Sequence, residues 1–205
     1  MWEMIQKGGP LMYLILFCSV LSLAIIIERL IVLQRLRIDV PAFMHKVLEA
    51  VRRNRMMEAI EICDRTQSPL GSIIKAGLLK SSASRQEIKE AMEEAALNEV
   101  PRLEKNLNIL ATIAHVTPLI GLLGTVTGMV EAFQVIQEKA TAFNPVSPGD
   151  LAGGIWEALL TTVGGLSVAI PTLVAYNFLV TRVDNFILNM ERAATELVQV
   201  LKGER

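Results

Sequence analysis

The sequence predicts an all-α membrane protein with three spanning helices, and three observations support this fold class. The 205 residues are 52% hydrophobic, with a mean hydropathy of +0.43. Although 20% of the residues are charged, Asp, Glu, Lys and Arg are absent from the windows 8–27, 106–130 and 158–181. Each window reaches the roughly 20 residues that a helix needs to cross a bilayer. Apolar residues outside the windows recur at helical spacing.

The first spanning helix is predicted within residues 1–33. Hydrophobic residues continue past the end of the first charge-free window, so we expect this helix to leave the membrane without stopping. Trp2 and Tyr13 can anchor its outer end, because aromatic rings favour the membrane interface.

The distribution of Lys and Arg predicts the orientation in the membrane. Residues 28–105 contain 14 of these residues and residues 182–205 contain four, whereas only Lys7 and Lys139 fall on the other side of the spans. Cytoplasmic segments of membrane proteins carry the excess of positive charge. We therefore expect the N-terminus outside and both of those regions in the cytoplasm, and we do not expect a cleaved signal peptide.

A small helical domain is predicted in the cytoplasm over residues 34–105. Pro69 stands at a first helical position after Ser68, a residue type that caps helices. Ser84 and Glu87 have the spacing of a capping box, which marks the start of a further helix.

The second and third spanning helices are predicted to be longer than the membrane. A helix from Arg85 to Glu138 would measure roughly 80 Å at 1.5 Å per residue, with a kink expected at Pro101. Ser147 and Pro148 predict the start of the third long helix. The segments are assigned as the second span at 106–138, a periplasmic loop at 139–150, the third span at 151–181 and a cytoplasmic helix at 182–205.

Composition and motifs argue against several classes of function. A net charge of −1 and the lack of a basic patch with interleaved aromatics argue against nucleic-acid binding. The sequence contains no nucleophile beside a base, no phosphate-binding glycine loop and no His or Cys cluster. Cys18 and Cys63 fall in different predicted segments, so no disulfide is expected. We expect neither an enzyme nor a metal or cofactor site.

Small residues recur along the second and third spans. They include a GxxxG pair and rows of small or hydroxyl residues: Gly124 and Gly128, then Thr117, Gly121 and Thr125, and in the third span Thr161, Gly165 and Ala169. Such rows favour close helix packing in lipid. Pro118 and Pro171 each free a backbone carbonyl, which needs a threonine, water or a neighbouring helix as partner. These carbonyls fit either a wet path or ordinary packing.

Glu157 is the acid at the start of the 24 uncharged residues of the third span. Acids in spanning segments usually face protein or water and mark functional sites. The simpler alternative is a solvated acid at a helix start, favoured by the helix dipole. At 100° per residue, Thr161 lies about 40° from Glu157 and Thr162 about 140°. Glu157 and Thr161 therefore share one face of the helix. We expect that several copies of this face around an axis hold and release protons or Na⁺ at the carboxyl groups.

His115 is a second ionisable candidate at membrane depth. The alternative interpretation is a histidine that faces a neighbouring helix and bonds a carbonyl.

The strings TPLIGLLGTVTGM (117–129) and GGIWEALLTTVGGLSVAIPTLVAYN (153–177) resemble the MotA/TolQ/ExbB family of inner-membrane proton-channel proteins. The similarity is closest to the ExbB and TolQ branch and is specific over residues 103–177. It implies a homo-oligomer, pentameric in the family, around the single-span helices of an ExbD- or TolR-like partner. It further implies that ion flow drives work on a TonB- or TolA-like protein in the bacterial inner membrane.

The resemblance also implies which residues line the ion pathway. Thr125 and Thr162 match the channel-facing threonines of the family, and Glu157 matches its third-span glutamate. The helical face favours Thr161 over Thr162, whereas the resemblance favours Thr162, which we prefer. Thr161 and His115 are therefore weaker candidates. The residues expected to serve helix packing are Gly121, Gly124, Gly128, Gly165, Pro118 and Pro171.

An ExbB-type energiser subunit is thus the leading hypothesis from the sequence. A TolQ-like or gliding-type motor subunit and a non-conducting membrane scaffold are the alternatives. The sequence leaves the cargo, and the choice between H⁺ and Na⁺, open.

Overall fold

The structure, a computed structural model, describes residues 9–139 and 148–203. Trp2, Lys7 and Ser147, named above, lie outside these residues, as does most of the loop predicted at 139–150. The described helices are α1 (Gly9–Arg35), α2 (Val40–Arg52), α3 (Met56–Arg65), α4 (Pro69–Leu79), α5 (Arg85–Glu104), α6 (Leu107–Lys139) and α7 (Pro148–Leu201). No strand occurs in the described ranges. Three helical stretches, containing α1, α6 and α7, are long and apolar enough to span a membrane. The predicted all-α membrane fold is confirmed.

A two-residue turn interrupts the second long helix between α5 and α6. Lys105 leaves the helical conformation with φ −49° and ψ 136°, and Asn106 has the left-handed φ of 64°. Pro101, where the kink was expected, lies inside α5. The helix is therefore interrupted at Lys105 and Asn106, four residues after the proline.

Asn106 is held in this conformation by a side-chain contact. Asparagine adopts the left-handed region more readily than most residues. Its Nδ2 donates to Glu28 Oε2 at 2.8 Å. The bond joins the end of the charge-free stretch of α1 to the start of α6.

The chain divides into two compact units, which we name the span unit and the polar unit. The span unit consists of residues 1–28 and 106–178, and the polar unit of residues 29–105 and 179–205. Both α1 and α7 contribute residues to each unit.

The helix starts of the polar unit are capped as predicted. Ser68 Oγ accepts from the Gly71 N–H at 3.2 Å. Ser84 Oγ accepts from the Glu87 N–H at 3.3 Å, and Glu87 Oε2 accepts from the Ser84 N–H at 2.8 Å, which completes the capping box. These bonds with Ser84 lower the pKa of the Glu87 carboxyl below its ordinary value.

The end of α7 is fastened within the polar unit. Lys202 Nζ donates to the carbonyls of Ser81 and Ala83, at 3.4 and 2.5 Å. Leu197 is fully buried and lies against Gly77 of α4, where an added Cβ would come within 3.1 Å of Leu197 Cδ2. The apolar positions of the tail therefore pack inside this unit.

Cys63 of α3 belongs to the same core and is 3% exposed. Burial is the largest cause of a raised thiol pKa, and the neighbouring Asp64 carboxylate adds to it. The pKa rises from 9.0 to about 12. The thiol is therefore protonated at neutral pH.

In the span unit, α6 and α7 pack against each other in antiparallel directions. Residues with rising numbers in α6 meet residues with falling numbers in α7. The contacting pairs, which we call the glycine seam, are Thr117 with Gly165, Gly121 with Gly165, Gly124 with Thr161, Gly128 with Ala158 and Ala132 with Gly154. This spacing of three and four residues on each helix is that of left-handed helix pairs.

The backbones of α6 and α7 approach each other closely at Gly121 and Gly165 of the glycine seam. A Cβ added to Gly165 would lie 2.8 Å from the Thr117 carbonyl oxygen and 3.2 Å from Gly121 Cα. A Cβ added to Gly121 would lie 3.0 Å from the Thr161 carbonyl oxygen. Backbone atoms cannot rotate away as a side chain does, so only glycine fits at these two positions.

Large apolar residues are exposed on the helix faces turned away from the glycine seam. Leu119 and Val126 on α6 are 61% and 54% exposed, and Val163 and Ile170 on α7 are 59% and 60% exposed. A soluble protein rarely leaves so continuous an apolar surface uncovered. These faces suit lipid or another transmembrane helix.

We predict that Gly165→Ala destabilises the span unit by about 1 to 3 kcal/mol, because the new methyl group overlaps backbone atoms of α6. The thermal unfolding temperature of the chain in lipid nanodiscs measures this loss. Gly153→Ala is the matched control, since nothing lies within 4 Å of a Cβ at that α7 position. Equal unfolding temperatures for the two variants would show that the backbone contact does not matter.

We predict that Cys63 resists alkylation in the folded chain. The rise in pKa from 9.0 to about 12 lowers the reactive thiolate population by about 1,000-fold at pH 8. Iodoacetamide labelling of a Cys18→Ala chain, followed by mass spectrometry, measures the rate, with the urea-unfolded chain as control. The raised pKa also means that the protonated Cys63 thiol contributes to the stability of the fold. This contribution is fully present below pH 9.0 and is lost as the pH rises towards about 12. Equal labelling rates in the folded and unfolded chains would contradict the prediction.

Candidate functional site

Glu157 lies in the third turn of α7, nine residues after the helix begins at Pro148. The dipole of a helix favours an acid within its first turn, so the alternative of a helix-start acid on α7 does not apply. Instead, the carboxyl meets the start of α1. A Cβ added to Gly9 would lie 2.7 Å from Glu157 Oε1.

Gly9 is the first residue of α1 and has the left-handed φ of 63°. Both the conformation and the close carboxyl oxygen favour glycine at this position. The first N–H groups of a helix lack intrahelical partners and carry partial positive charge. The Glu157 carboxyl therefore lies beside the start of another helix. The sequence pattern had not singled out Gly9, and it offers no signal for this contact beyond the glycine itself.

Thr161 and Thr162 of α7 both turn towards α6. Thr161 is 3% exposed, and its Oγ1 donates to the Ala158 carbonyl at 2.7 Å and lies 3.4 Å from the Gly121 carbonyl. Thr162 is half-buried, and its Oγ1 donates to the Gly121 carbonyl at 3.0 Å. Thr161 therefore fills the glycine seam, whereas Thr162 lies at its edge.

The other hydroxyls of the span unit bond within their own helices. Thr125 Oγ1 donates to the Leu122 carbonyl at 2.7 Å. Like Thr162, Thr125 is half-buried. Around the axis of α6, Thr125 lies about 80° from the seam residue Thr117, and around the axis of α7, Thr162 lies about 100° from the seam residue Thr161. Both angles have the same sense when each helix is viewed from its N-terminus. In an antiparallel pair, these rotations bring Thr125 and Thr162 to the same side of the seam.

Threonines accompany both prolines but do not bond the carbonyls that the prolines free. Thr117 Oγ1 donates to the Ile113 carbonyl at 2.6 Å, next to Pro118. Thr172 Oγ1 donates to the Val168 carbonyl at 2.7 Å, next to Pro171. The freed carbonyls belong to Ala114 and Ser167, one residue away in each case.

His115 bonds a backbone carbonyl of its own helix. Its Nδ1 lies 2.7 Å from the Ala111 carbonyl oxygen, one turn earlier in α6. A carbonyl only accepts, so Nδ1 carries the hydrogen and Nε2 is the other ring nitrogen. The side chain is exposed in the single chain.

The structure thus brings some of the predicted residues together and separates others. Thr125 and Thr162 share one side of the seam, and Thr161 lies inside it. Glu157 meets α1, about 140° around α7 from Thr162. His115 lies on a further face of α6. The single chain therefore offers hydroxyls and a carboxyl on different faces and no continuous row of ionisable groups.

The polar unit contains a cavity of about 580 Å³. Its charged lining residues pair with one another: Lys75 with Asp64 at 2.5 Å and Arg102 with Glu99 at 3.6 Å. The cavity therefore presents no net charge to a ligand. Across the described residues, no group of three or more His, Cys, Asp and Glu side chains can hold a metal ion.

Comparison with known proteins gives this geometry a context. A family model described as the MotA/TolQ/ExbB proton channel family matches residues 65–192, which include Thr125, Glu157 and Thr162. An ExbB homolog of Methanothermobacter thermautotrophicus, named as a biopolymer transport protein, is 30% identical over 190 residues. The alignment covers 92% of this chain and 66% of the relative.

Two further relatives carry names from the same branch. An ExbB-like protein of Synechocystis sp. is 32% identical over 172 residues, covering 84% of this chain and 81% of the relative. The Tol-Pal system protein TolQ of Haemophilus influenzae is 43% identical over 95 residues, covering 46% of this chain and 40% of TolQ. The residues matched by the family model contain the glycine seam, Thr125, Thr162 and Glu157, and the chain belongs to the MotA/TolQ/ExbB proton channel family.

Proposed function

We propose that this chain is the ring-forming subunit of an ExbB-type, ion-driven energiser in the bacterial inner membrane. Several copies, five by analogy with the family, enclose an ExbD- or TolR-like single-span partner. Ion flow through this complex does work on a TonB-like protein for transport at the outer membrane. Membership of the proton channel family and the ExbB names of relatives support the proposal.

The proposed topology places the N-terminus in the periplasm and the polar unit in the cytoplasm. Its support is the charge distribution, with 14 Lys and Arg residues in 28–105 and four in 182–205. The proposed segments are those predicted from the sequence: three spans, a periplasmic loop between the second and third, and cytoplasmic regions at 34–105 and 182–205.

The observation that carries the proposal is a single carboxyl beside long charge-free helices. Glu157 is the acid at the entrance to 24 uncharged residues, and no charged residue occurs in 106–130 of the helix packed against it. One carboxyl cannot pass ions across a membrane by itself. Repetition around an axis, with an acid supplied by the partner, gives a path on which Thr125 and Thr162 offer oxygen atoms.

A TolQ-like role is the second candidate, because TolQ of Haemophilus influenzae matches this chain at 43% identity over 95 residues. In that case the third component is TolA-like, and the ion-driven mechanism is unchanged. Gliding-type motors share the same mechanism with a different cargo.

We predict that Glu157→Gln abolishes ion flux while the complex still assembles. The amide keeps the size of the side chain but cannot release a proton or hold a cation by charge. Flux is measured with a pH-sensitive dye in liposomes that contain the purified complex. Glu131→Gln is the matched control, because Glu131 is an exposed carboxyl on α6 outside the charge-free window. Normal flux in the Glu157→Gln protein would rule out the proposed role.

The same liposomes separate conduction from a scaffold role. Thr162→Val removes the hydroxyl that bonds the Gly121 carbonyl, and Thr162→Ser retains it. If Thr162 lines the channel, ion flux falls in the Thr162→Val protein and recovers in the Thr162→Ser protein, while assembly is unchanged in both. If the chain is a scaffold, the Thr162→Val protein assembles poorly, which size-exclusion chromatography detects. In that case the protein without substitutions also shows no ion flux.

We predict that the chain, cross-linked in its native membranes and purified, brings a small single-span protein with a membrane Asp. A third component identifies the process, TonB-like for outer-membrane transport or TolA-like for the TolQ role. Mass spectrometry of the cross-linked bands is the measurement. Recovery of the chain alone as a ring would contradict the partnership.

A further inference from the structure

A polar column on α6 lies outside the glycine seam. Asn108, Thr112 and His115 follow one another at spacings of four and three residues, and all three side chains are exposed. At 100° per residue, Asn108 is about 160° from the buried Leu110, and His115 is about 160° from the buried Thr117. The column therefore faces away from α7.

His115, the deepest residue of the column, lies far from the ends of the charge-free window. His115 is three residues, about 4.5 Å along the helix, from the middle of the charge-free window 106–130. An imidazole at this depth is costly in lipid, so ionisable residues in spans usually face protein or water. No Asp, Glu, Lys or Arg occurs in the stretches 9–27, 106–130 and 158–181 that form the spanning part of the unit.

The hydrogen bonds of the column define what it offers to a ligand. Thr112 Oγ1 donates to the Asn108 carbonyl at 2.8 Å, so its remaining capacity is to accept. The Nδ1–H of His115 is held by the Ala111 carbonyl, which leaves the Nε2 lone pair of the neutral ring directed away from the helix backbone. The ligand that fits an acceptor of this kind is a proton carried by water.

We propose that His115 is a second proton-binding site, which Asn108 and Thr112 connect to water along α6. Nε2 accepts a proton from hydronium to give imidazolium and water, and the reverse step returns the proton to a second water. The net result is the transfer of one proton with no other bond changed. Histidine suits this exchange because its charge changes between about pH 5 and pH 8.

The position of His115 fits a path that continues past the threonines. His115 and Thr125 are ten residues apart on α6, about 15 Å along the axis and about 80° around it. They therefore occupy neighbouring sides of the same helix. The assignment to an ion pathway rests on the proposed function, whereas the proposed proton binding by His115 does not.

The titration is tested directly in a single-histidine protein. His45 is the only other histidine, so His45→Gln leaves His115 as the one imidazole. The full chain, with the partners that purify with it, is labelled with ¹⁵N-histidine and placed in lipid nanodiscs. The ring signals are recorded from about pH 8.5 to about pH 5, the range in which histidine side chains gain a proton, and we expect the second ring nitrogen to become protonated. Ring signals that do not change over this range would overturn the proposal, as for a histidine facing lipid or packed dry.

Two variants show whether the column supplies the water. Asn108→Leu with Thr112→Val makes the column apolar, and we expect the His115 ring to stop titrating in this protein. Thr127→Val is the control, because Thr127 is exposed on α6 and bonds the Leu123 carbonyl of its own helix. Equal titration in both proteins would overturn the role of Asn108 and Thr112.

Flux measurements separate this inference from the proposed function. In conducting liposomes, His115→Gln is expected to remove a step from the pH profile of flux between about pH 5 and pH 8, whereas His45→Gln leaves the profile unchanged. An unchanged profile for His115→Gln would remove His115 from the pathway. If the unaltered complex passes no ions, the proposed function fails, and the ¹⁵N titration still decides whether His115 binds protons from water.

Discussion

The backbone contact between Gly121 and Gly165 is the constraint on which the span unit depends. It brings α6 and α7 so close that a single methyl group on either glycine overlaps backbone atoms of the other helix. The hydroxyl of Thr162 reaches the Gly121 carbonyl only because of this approach. Since lipid gives apolar helices no hydrophobic reason to associate, contacts of this kind hold such a pair together.

Close packing on one face of each helix leaves the other faces to interactions outside the chain. The exposed face of α7 that contains Val163 and Ile170 is mostly apolar, with Ser167 between them, whereas α6 adds the polar column that ends at His115. These two surfaces have different requirements in a membrane, because lipid satisfies the first and cannot satisfy the second. The asymmetry of the single chain is therefore itself an argument that it works in an assembly.

Helix positions were largely predictable from the sequence, because local chemistry decides them. Ser68 and Ser84 cap the helices they were expected to cap, and charge-free windows mark the three spans. The turn at Asn106 was missed, since it depends on a bond to Glu28, 78 residues away. Likewise, periodicity placed Glu157 and Thr161 on one face but could not show that one meets α1 and the other α6. Contacts between distant segments are not encoded in local spacing.

The bond between Thr162 and Gly121 also determines how water meets this side of the seam. A threonine hydroxyl has one hydrogen and two lone pairs, and here the hydrogen is committed to the Gly121 carbonyl. Only the lone pairs of the Thr162 oxygen remain for a further hydrogen bond. A water molecule that binds Thr162 must donate one of its hydrogens to the Thr162 oxygen, so every water bound there has the same orientation. The side chain thereby gives an orientation to solvent that the apolar residues around it cannot give.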